Sequence, residues 1–124
     1  MLEQKLLEMK VWAVVGANQD PDKYGNKIFK LMQSKGYRVY PVNPLYDEVE
    51  GEKCYKDLTS LPEVPEVIDM VVSPKRGKAV IEEASRLGIK YIWLQPGTHD
   101  DEIMELIESK GMTPVKGCVL VALG

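Results

Sequence analysis

The chain has 124 residues, of which 44% are hydrophobic and 28% are charged, so its composition suits one compact domain over residues 1–124. The net charge at pH 7 is −3 and the basic residues are dispersed, which excludes the electrostatic footprint of a nucleic-acid-binding protein. No apolar stretch has the length of a membrane span, and the first residues form an amphipathic, acid-containing segment unlike a signal peptide. We therefore expect a cytoplasmic protein without membrane association.

Apolar runs and helical periodicities alternate along the chain. Leu2, Leu6 and Met9 recur at helical spacing and predict a short first helix. Continuous apolar runs, which are typical of buried parallel strands, predict strands at residues 10–16, 37–43, 67–72 and 91–94, with a short last strand from residues 113–115 and 118–121. Three further helices are predicted at residues 23–35, 78–87 and 100–110, each followed by a glycine.

The regions between these elements carry turn signals. Residues 45–65 are rich in acids and prolines and are predicted to contain a turn at Glu50-Gly51 and a helical turn at residues 58–61. Thr98 and Asp101 form an approximate capping box for the last predicted helix.

Five strands that alternate with helices predict a Rossmann-like, three-layer α/β/α fold with a five-stranded parallel sheet. The expected strand order is 3-2-1-4-5, numbered along the chain. Ligands of such sheets bind beyond the carboxyl ends of the strands, where the strand order reverses. Four turns should then face one crevice, at residues 16–24, 43–44, 72–76 and 95–97.

The turn after the first strand lacks the two best-known phosphate-binding patterns. A dinucleotide site has Gly-x-Gly-x-x-Gly and an acidic residue near the end of strand 2, whereas here Asn18 follows Gly16-Ala17 and strand 2 ends at Asn43-Pro44. A P-loop is also absent. Because backbone N–H groups at such a turn still suit an anion, we expect a phosphate-bearing small molecule, and an ordinary NAD site is disfavoured.

Two motifs are specific in combination: Tyr-x-Val-x-Pro-Val-Asn-Pro at residues 37–44 and Trp-Leu-Gln-Pro-Gly at residues 93–97. With the segments at residues 13–16 and 68–72, in matching spacing, they resemble the small CoA-binding protein family. These are stand-alone Rossmann domains similar to the amino-terminal domain of the succinyl-CoA synthetase α subunit. The resemblance covers nearly the whole chain and implies that the protein binds coenzyme A or an acyl-CoA.

The resemblance also implies a CoA site formed by the first turn and the ends of strands 2 and 3. The residues that would surround the pyrophosphate and its neighbours are Gly16, Ala17, Asn18, Lys23 and Tyr24. Asn43 and Pro44 would border the ribose. Val72, Ser73 and Pro74 would line the adenine side. Two departures stand out. Asn18 occupies a position where members often carry Ser or Thr, and Lys116-Gly117-Cys118 keeps only the thiol of the Asp/Asn-Arg-Cys motif that many members have.

Coenzyme A carries a pyrophosphate and a ribose phosphate, so a protein of net charge −3 must place cations locally. Five basic residues lie in or just after the crevice turns, namely Lys23, Lys27, Lys75, Arg76 and Lys78. Arg76 is favoured as a phosphate ligand because its planar guanidinium suits phosphate better than an ammonium does.

The sequence contains no recognisable catalytic or metal-binding constellation. His99, the only histidine, lies at a predicted helix start with no acid or nucleophile placed to orient it. Cys54 and Cys118 lack metal-ligand spacing, so we expect two free thiols and no metal. Asp69 lies in an apolar strand and is expected to bond to a nearby backbone turn.

Two alternatives to a non-catalytic CoA-binding module remain open. The first is a regulatory domain that binds NAD or another nucleotide, and the second is one subunit of a larger acyl-CoA enzyme. A protein partner or a homo-oligomer is compatible with each of them.

Overall fold

A computed structural model describes residues 1–124 and contains a parallel sheet with helices on both faces. Its parallel strands are β1 (Val11–Val15), β2 (Arg38–Val42), β5 (Val67–Met70), β6 (Tyr91–Leu94) and β7 (Thr113–Lys116), and a small antiparallel hairpin is formed by β3 (Glu48–Val49) and β4 (Glu52–Lys53). The helices are α1 (Leu2–Leu7), α2 (Tyr24–Ser34), α3 (Pro74–Arg86), α4 (Asp101–Ser109) and α5 (Val119–Leu123). None of these helices combines the length and the apolar character that a membrane crossing requires.

The apolar strands are buried because each face of the sheet packs against helices. Every residue of β1 and of β5 is buried, as expected for strands in the centre of a parallel sheet. On one face, Ile81 of α3 and Ile103 of α4 pack into a core cluster with the sheet. On the other face, Phe29 of α2 and Val119 of α5 pack into a second cluster. The predicted Rossmann-like three-layer fold is therefore confirmed.

The order of the strands is β2-β1-β5-β6-β7, which is 2-1-3-4-5 when the five parallel strands alone are numbered along the chain. The predicted order 3-2-1-4-5 has the third strand beside the second, whereas the structure places it beside the first. The outer edge of β2 is instead occupied by Tyr55, whose N–H donates to Pro41 O (3.0 Å) and whose carbonyl accepts from Asn43 N (2.9 Å). The strand order reverses between β1 and β5, so the ligand crevice is expected there.

Two elements begin differently from their predictions. The α3 helix begins at Pro74, four residues before the predicted start, because proline is well tolerated in the first helical turn. Residues 118–121 were predicted as part of the last strand, but Val119–Leu123 form the helix α5. The predicted turn at Glu50-Gly51 is confirmed, and it joins β3 to β4 with φ values of 50° and 80°.

The amino-terminal cap of α4 also differs from the expected capping box. Its N-cap residue is Asp100, whose carboxylate accepts a hydrogen bond from Ile103 N at 2.8 Å. The hydroxyl of Thr98 donates instead to Gln95 O at 2.7 Å. The prediction that paired Thr98 with Asp101 is therefore wrong, because the helix starts two residues later than a Thr98 cap requires.

Candidate functional site

A cleft of about 330 Å³ opens at the carboxyl edge of the sheet, over the ends of β2, β1 and β5. Five of the predicted binding residues line it, namely Gly16, Asn43, Pro44, Val72 and Arg76. One wall is a face of α3 that extends from Arg76 to Arg86, and the opposite wall is formed by Lys56, Asp57 and Leu58. The cleft lies at the strand-order reversal, where doubly wound sheets bind their ligands.

The other predicted residues lie around this edge and do not line the cleft. Ala17 is buried, and its carbonyl accepts a hydrogen bond from Asn43 Nδ2 at 2.9 Å. Lys23 is exposed just before α2, and the adjoining Tyr24 is 66% exposed. Three more are Asn18, in the first turn, and Ser73 and Pro74, at the start of α3. A ligand that reached all of them would have to extend out of the cleft along the first turn.

Two glycines shape the first turn. Gly16 has a φ of +103°, and a Cβ there would lie 3.1 Å from Val72 Cγ1 and 3.2 Å from Val71 C. Gly25, in the first turn of α2, would place a Cβ only 2.0 Å from Gly16 O. The helix therefore begins in direct contact with the turn, which is the close helix–strand packing that the last glycine of dinucleotide motifs provides. Sequence reasoning missed Gly25 because its spacing from Gly16 matches no standard motif.

The hairpin of β3 and β4 is tied to the first turn by side-chain hydrogen bonds. Asn26, which is buried on α2, donates from Nδ2 to Asn18 O (2.9 Å) and to Glu50 Oε2 (2.9 Å). Gln19 Nε2 donates to Glu48 O at 2.7 Å. These bonds fix the backbone path of residues 18–19, while the N–H groups of Ala17 and Asn18 donate to no acceptor in the protein. Free N–H groups in a fixed turn are suited to bind an anion.

The cations of the cleft are only partly those that the sequence predicts. Arg76 lines the cleft, whereas Lys78 is paired with Glu102 of α4. Arg86 and Lys56 also line the cleft, and neither they nor Arg76 forms an ion pair. The sequence did not predict Arg86 as a site residue. The predicted helix began at residue 78, after Arg76, so the two arginines were not expected to lie on one helix face.

Asp69 forms a buried polar link on the other side of the sheet. Its Oδ1 accepts from Gln95 Nε2 at 2.7 Å, and Gln95 Oε1 accepts from Val119 N at 3.3 Å, while Asp69 Oδ2 has no partner. Complete burial raises the pKa of the Asp69 carboxyl to about 7, against a smaller lowering by the Gln95 hydrogen bond. The prediction that Asp69 bonds to a backbone turn is therefore wrong, because its hydrogen-bond partner is the side chain of Gln95.

The two cysteines are free thiols, as predicted. Cys54 is buried, and its thiol donates to Asn43 O at 3.6 Å. Burial is the main cause that raises the pKa of the Cys54 thiol, which disfavours the nucleophilic thiolate. Cys118 is half-buried at the start of α5.

Residues 10–124 match the model of a protein family described as the CoA binding domain. The chain belongs to this family of CoA-binding domains. The match covers the first turn, both walls of the cleft and the Asp69–Gln95 pair, and it confirms the resemblance noted in the sequence.

Relatives of this CoA-binding domain occur both alone and within larger proteins. The YneT protein of Bacillus subtilis is 33% identical over 98% of this chain and 90% of its own length. The α subunit of the ADP-forming acetate–CoA ligase II of Pyrococcus furiosus is 39% identical over 63% of this chain, which corresponds to only 17% of that subunit. Among solved structures, a conserved hypothetical protein of Pyrococcus furiosus superimposes with a TM-score of 0.86 and 46% identity, over 91% of this chain and 98% of that one.

The substitution Gly25→Ala tests the contact between α2 and the first turn. We expect a large loss of stability, because the new methyl group would lie 2.0 Å from Gly16 O and the backbone must move. Gly36→Ala is the matched control, since Gly36 has a φ of +87° but nothing within 4 Å of its added Cβ. That variant should lose only about 1 kcal/mol from backbone strain. Chemical denaturation of both variants measures the difference, and equal losses would contradict the steric argument.

The pKa of Asp69 predicts how stability varies with pH. Because the folded protein binds this proton more tightly than the unfolded chain does, the free energy of unfolding should fall as pH rises from about 4 to about 7 and then level off. Asp69→Asn keeps an acceptor for Gln95 without a charge. We expect it to flatten this decline and to stabilise the protein at pH 8 by roughly 1–4 kcal/mol. Denaturation curves across this pH range, with the exposed Asp22→Asn as control, provide the measurement, and an unchanged slope would contradict the assignment.

Proposed function

We propose that this domain binds coenzyme A or an acyl-CoA in the cleft between α3 and residues 56–58, and that it does so without catalysing a reaction itself. The observation that carries the proposal is the set of unpaired cations, Arg76, Arg86 and Lys56, around a cleft at the strand-order reversal. In a protein of net charge −3, such a local cluster is what a polyanionic ligand requires.

The surfaces of the cleft match the chemistry of the nucleotide end of CoA. Val42, Leu58 and Val80 supply apolar surface against which an adenine ring can pack. The guanidinium groups of Arg76 and Arg86 can each bind two phosphate oxygens. A volume of about 330 Å³ encloses only part of CoA, so the pyrophosphate and the pantetheine arm would extend along the first turn.

The end of β2 favours CoA over NAD. An NAD site uses a carboxylate there to bind the ribose 2′-hydroxyl. In this chain the position is held by Asn43, whose Nδ2 donates to Ala17 O and whose Oδ1 accepts from Leu45 N, both at 2.9 Å. Since both ends of this side chain are engaged within the protein, the ribose of NAD lacks its usual partner, whereas the additional phosphate of CoA meets the arginines of α3.

A second candidate function is that of one subunit in a larger acyl-CoA enzyme. The Pyrococcus furiosus relative is itself a subunit of an acetate–CoA ligase, and the matched segment is 17% of its length. In that case the catalytic groups would be supplied by other chains, and the cleft would hold the same CoA. Under both candidate functions the isolated protein should form no acyl-CoA, so an activity assay does not separate them. Co-purification of a catalytic subunit would favour the second candidate.

Thermal unfolding with different nucleotides tests the choice of ligand. CoA should raise the melting temperature more than NAD does at equal concentration, because a ligand that binds only the folded state stabilises it more as its dissociation constant falls. Dephospho-CoA should raise it less than CoA, since it lacks the ribose phosphate. Equal shifts with CoA and NAD would count against the proposal and favour the nucleotide-binding alternative.

The substitution Arg76→Ala tests the cationic wall. Loss of one charged hydrogen-bonding group, typically worth about 1.5–3 kcal/mol, should weaken CoA binding by roughly ten- to a hundredfold in calorimetry. Lys78→Ala, which removes a cation of the same helix that pairs with Glu102, should have little effect, and so should His99→Ala. Gly16→Val should abolish CoA binding. Its added side chain would displace the backbone at Val71, so this variant tests the first turn as a whole and not one contact. Equal losses for Arg76→Ala and Lys78→Ala would indicate a different site.

A further inference from the structure

One wall of the cleft is a short surface segment, residues 56–61, that we call the wall segment. It lies in the long connection between β2 and β5 and belongs to no helix or strand. Lys56, Asp57 and Leu58 line the cleft, and the buried side chain of Leu58 packs into the core cluster beneath α3. The distance between this segment and α3 sets the width of the cleft.

Glu83 links the wall segment to α3 through three hydrogen bonds. Its Oε1 accepts from Leu58 N at 3.1 Å, and its Oε2 accepts from Thr59 N at 3.1 Å and from Thr59 Oγ1 at 2.7 Å. The remaining hydrogen bonds of the segment are local, such as Ser60 N to Asp57 Oδ1 at 2.9 Å. Glu83 is therefore the only residue of α3 that is hydrogen-bonded to the wall segment.

These bonds explain why Glu83 can stand in a site that we propose for an anion. A free carboxylate beside Arg76 and Arg86 would repel a phosphate and would compete with it for the guanidinium groups. Glu83 makes no ion pair with either arginine, and its two oxygens are engaged by the three donors of the wall segment. The arginines consequently stay free for a ligand.

We propose that Glu83 is a positioning residue of the cleft: it holds the wall segment at the distance from α3 that CoA requires. The inference rests on the proposed function of the cleft. Two physical effects of removing its charge have opposite signs. Loss of a negative charge near the cleft would by itself strengthen the binding of an anion, whereas release of the wall segment would weaken it. The sign of the change in affinity therefore distinguishes the two effects.

The substitution Glu83→Gln provides the test. A glutamine keeps one acceptor oxygen, and its amide group would face N–H donors, so it cannot hold Leu58 and Thr59 together. We expect the affinity for CoA to fall about tenfold or more in calorimetry. The matched control is Glu82→Gln, which removes the same charge from the neighbouring residue, whose partner is Lys110 of α4 at 3.1 Å. That variant should bind CoA as tightly as the wild type or slightly more tightly.

Hydrogen exchange measures the link without any ligand. In Glu83→Gln the amides of Leu58 and Thr59 should exchange much faster, while the amide of Ile92 in the core strand β6 should stay protected. In Glu82→Gln all three should exchange as in the wild type. Thr59→Val removes only the hydroxyl bond to Glu83 and keeps all charges, so it should weaken CoA binding by a few-fold and remains informative if Glu83→Gln fails to fold.

The outcomes separate this inference from the proposed function. If the wild-type protein does not bind CoA, the proposed function is wrong, and the role of Glu83 in CoA affinity is wrong with it; exchange at Leu58 and Thr59 then still decides whether Glu83 holds the segment. If the wild type binds CoA but Glu83→Gln binds it equally or more tightly, the inference is overturned and the cleft remains. Unchanged exchange at both amides would also overturn it.

Discussion

The contact between the first turn of α2 and the carbonyl of Gly16 determines the geometry of the whole carboxyl edge. Because Gly25 has no side chain, the helix can begin directly against the turn, and Asn26, one residue later, then reaches both Asn18 O and Glu50. The turn is thus held from two sides, by the helix and by the β3–β4 hairpin. A turn held in this way keeps its N–H groups in fixed directions before any ligand arrives, which lowers the entropic cost of binding.

A second constraint on the shape of the cleft comes from the long connection between β2 and β5. Tyr55 of this connection pairs with the outer edge of β2, and the chain then reaches the other side of β1, where β5 pairs. In doing so it supplies both the hairpin that supports the first turn and the wall segment that faces α3. A crossover helix in this position would have packed against the sheet and left the cleft without its second wall. The long connection therefore both leads the chain from β2 to the far side of β1 and supplies the second wall of the candidate site.

Local patterns predicted most of the fold and the centre of the site. Continuous apolar runs identified β1, β5 and β6, and the ends of the first two strands identified Gly16 and Asn43, because these features depend only on neighbouring residues. Glu83 could not be predicted in the same way, since its role depends on a contact with Leu58, which lies 25 residues earlier in the chain. The helix α5 was mistaken for a strand because a short apolar run is compatible with either structure.

The sheet separates the candidate site from the one buried group that titrates near neutral pH. Side chains alternate between the two faces of β5: Ile68 and Met70 pack towards α3 and α4, whereas Val67 packs in the other cluster, and Asp69 follows Val67 in this alternation. The two arginines of the cleft, Arg76 and Arg86, lie on α3, so the sheet stands between them and the Asp69 carboxyl. Ionisation of Asp69 therefore acts mainly on the packing of β5 against β6 and α5, and a change in pH near 7 should alter the stability of the fold more than the charge that a ligand meets in the cleft.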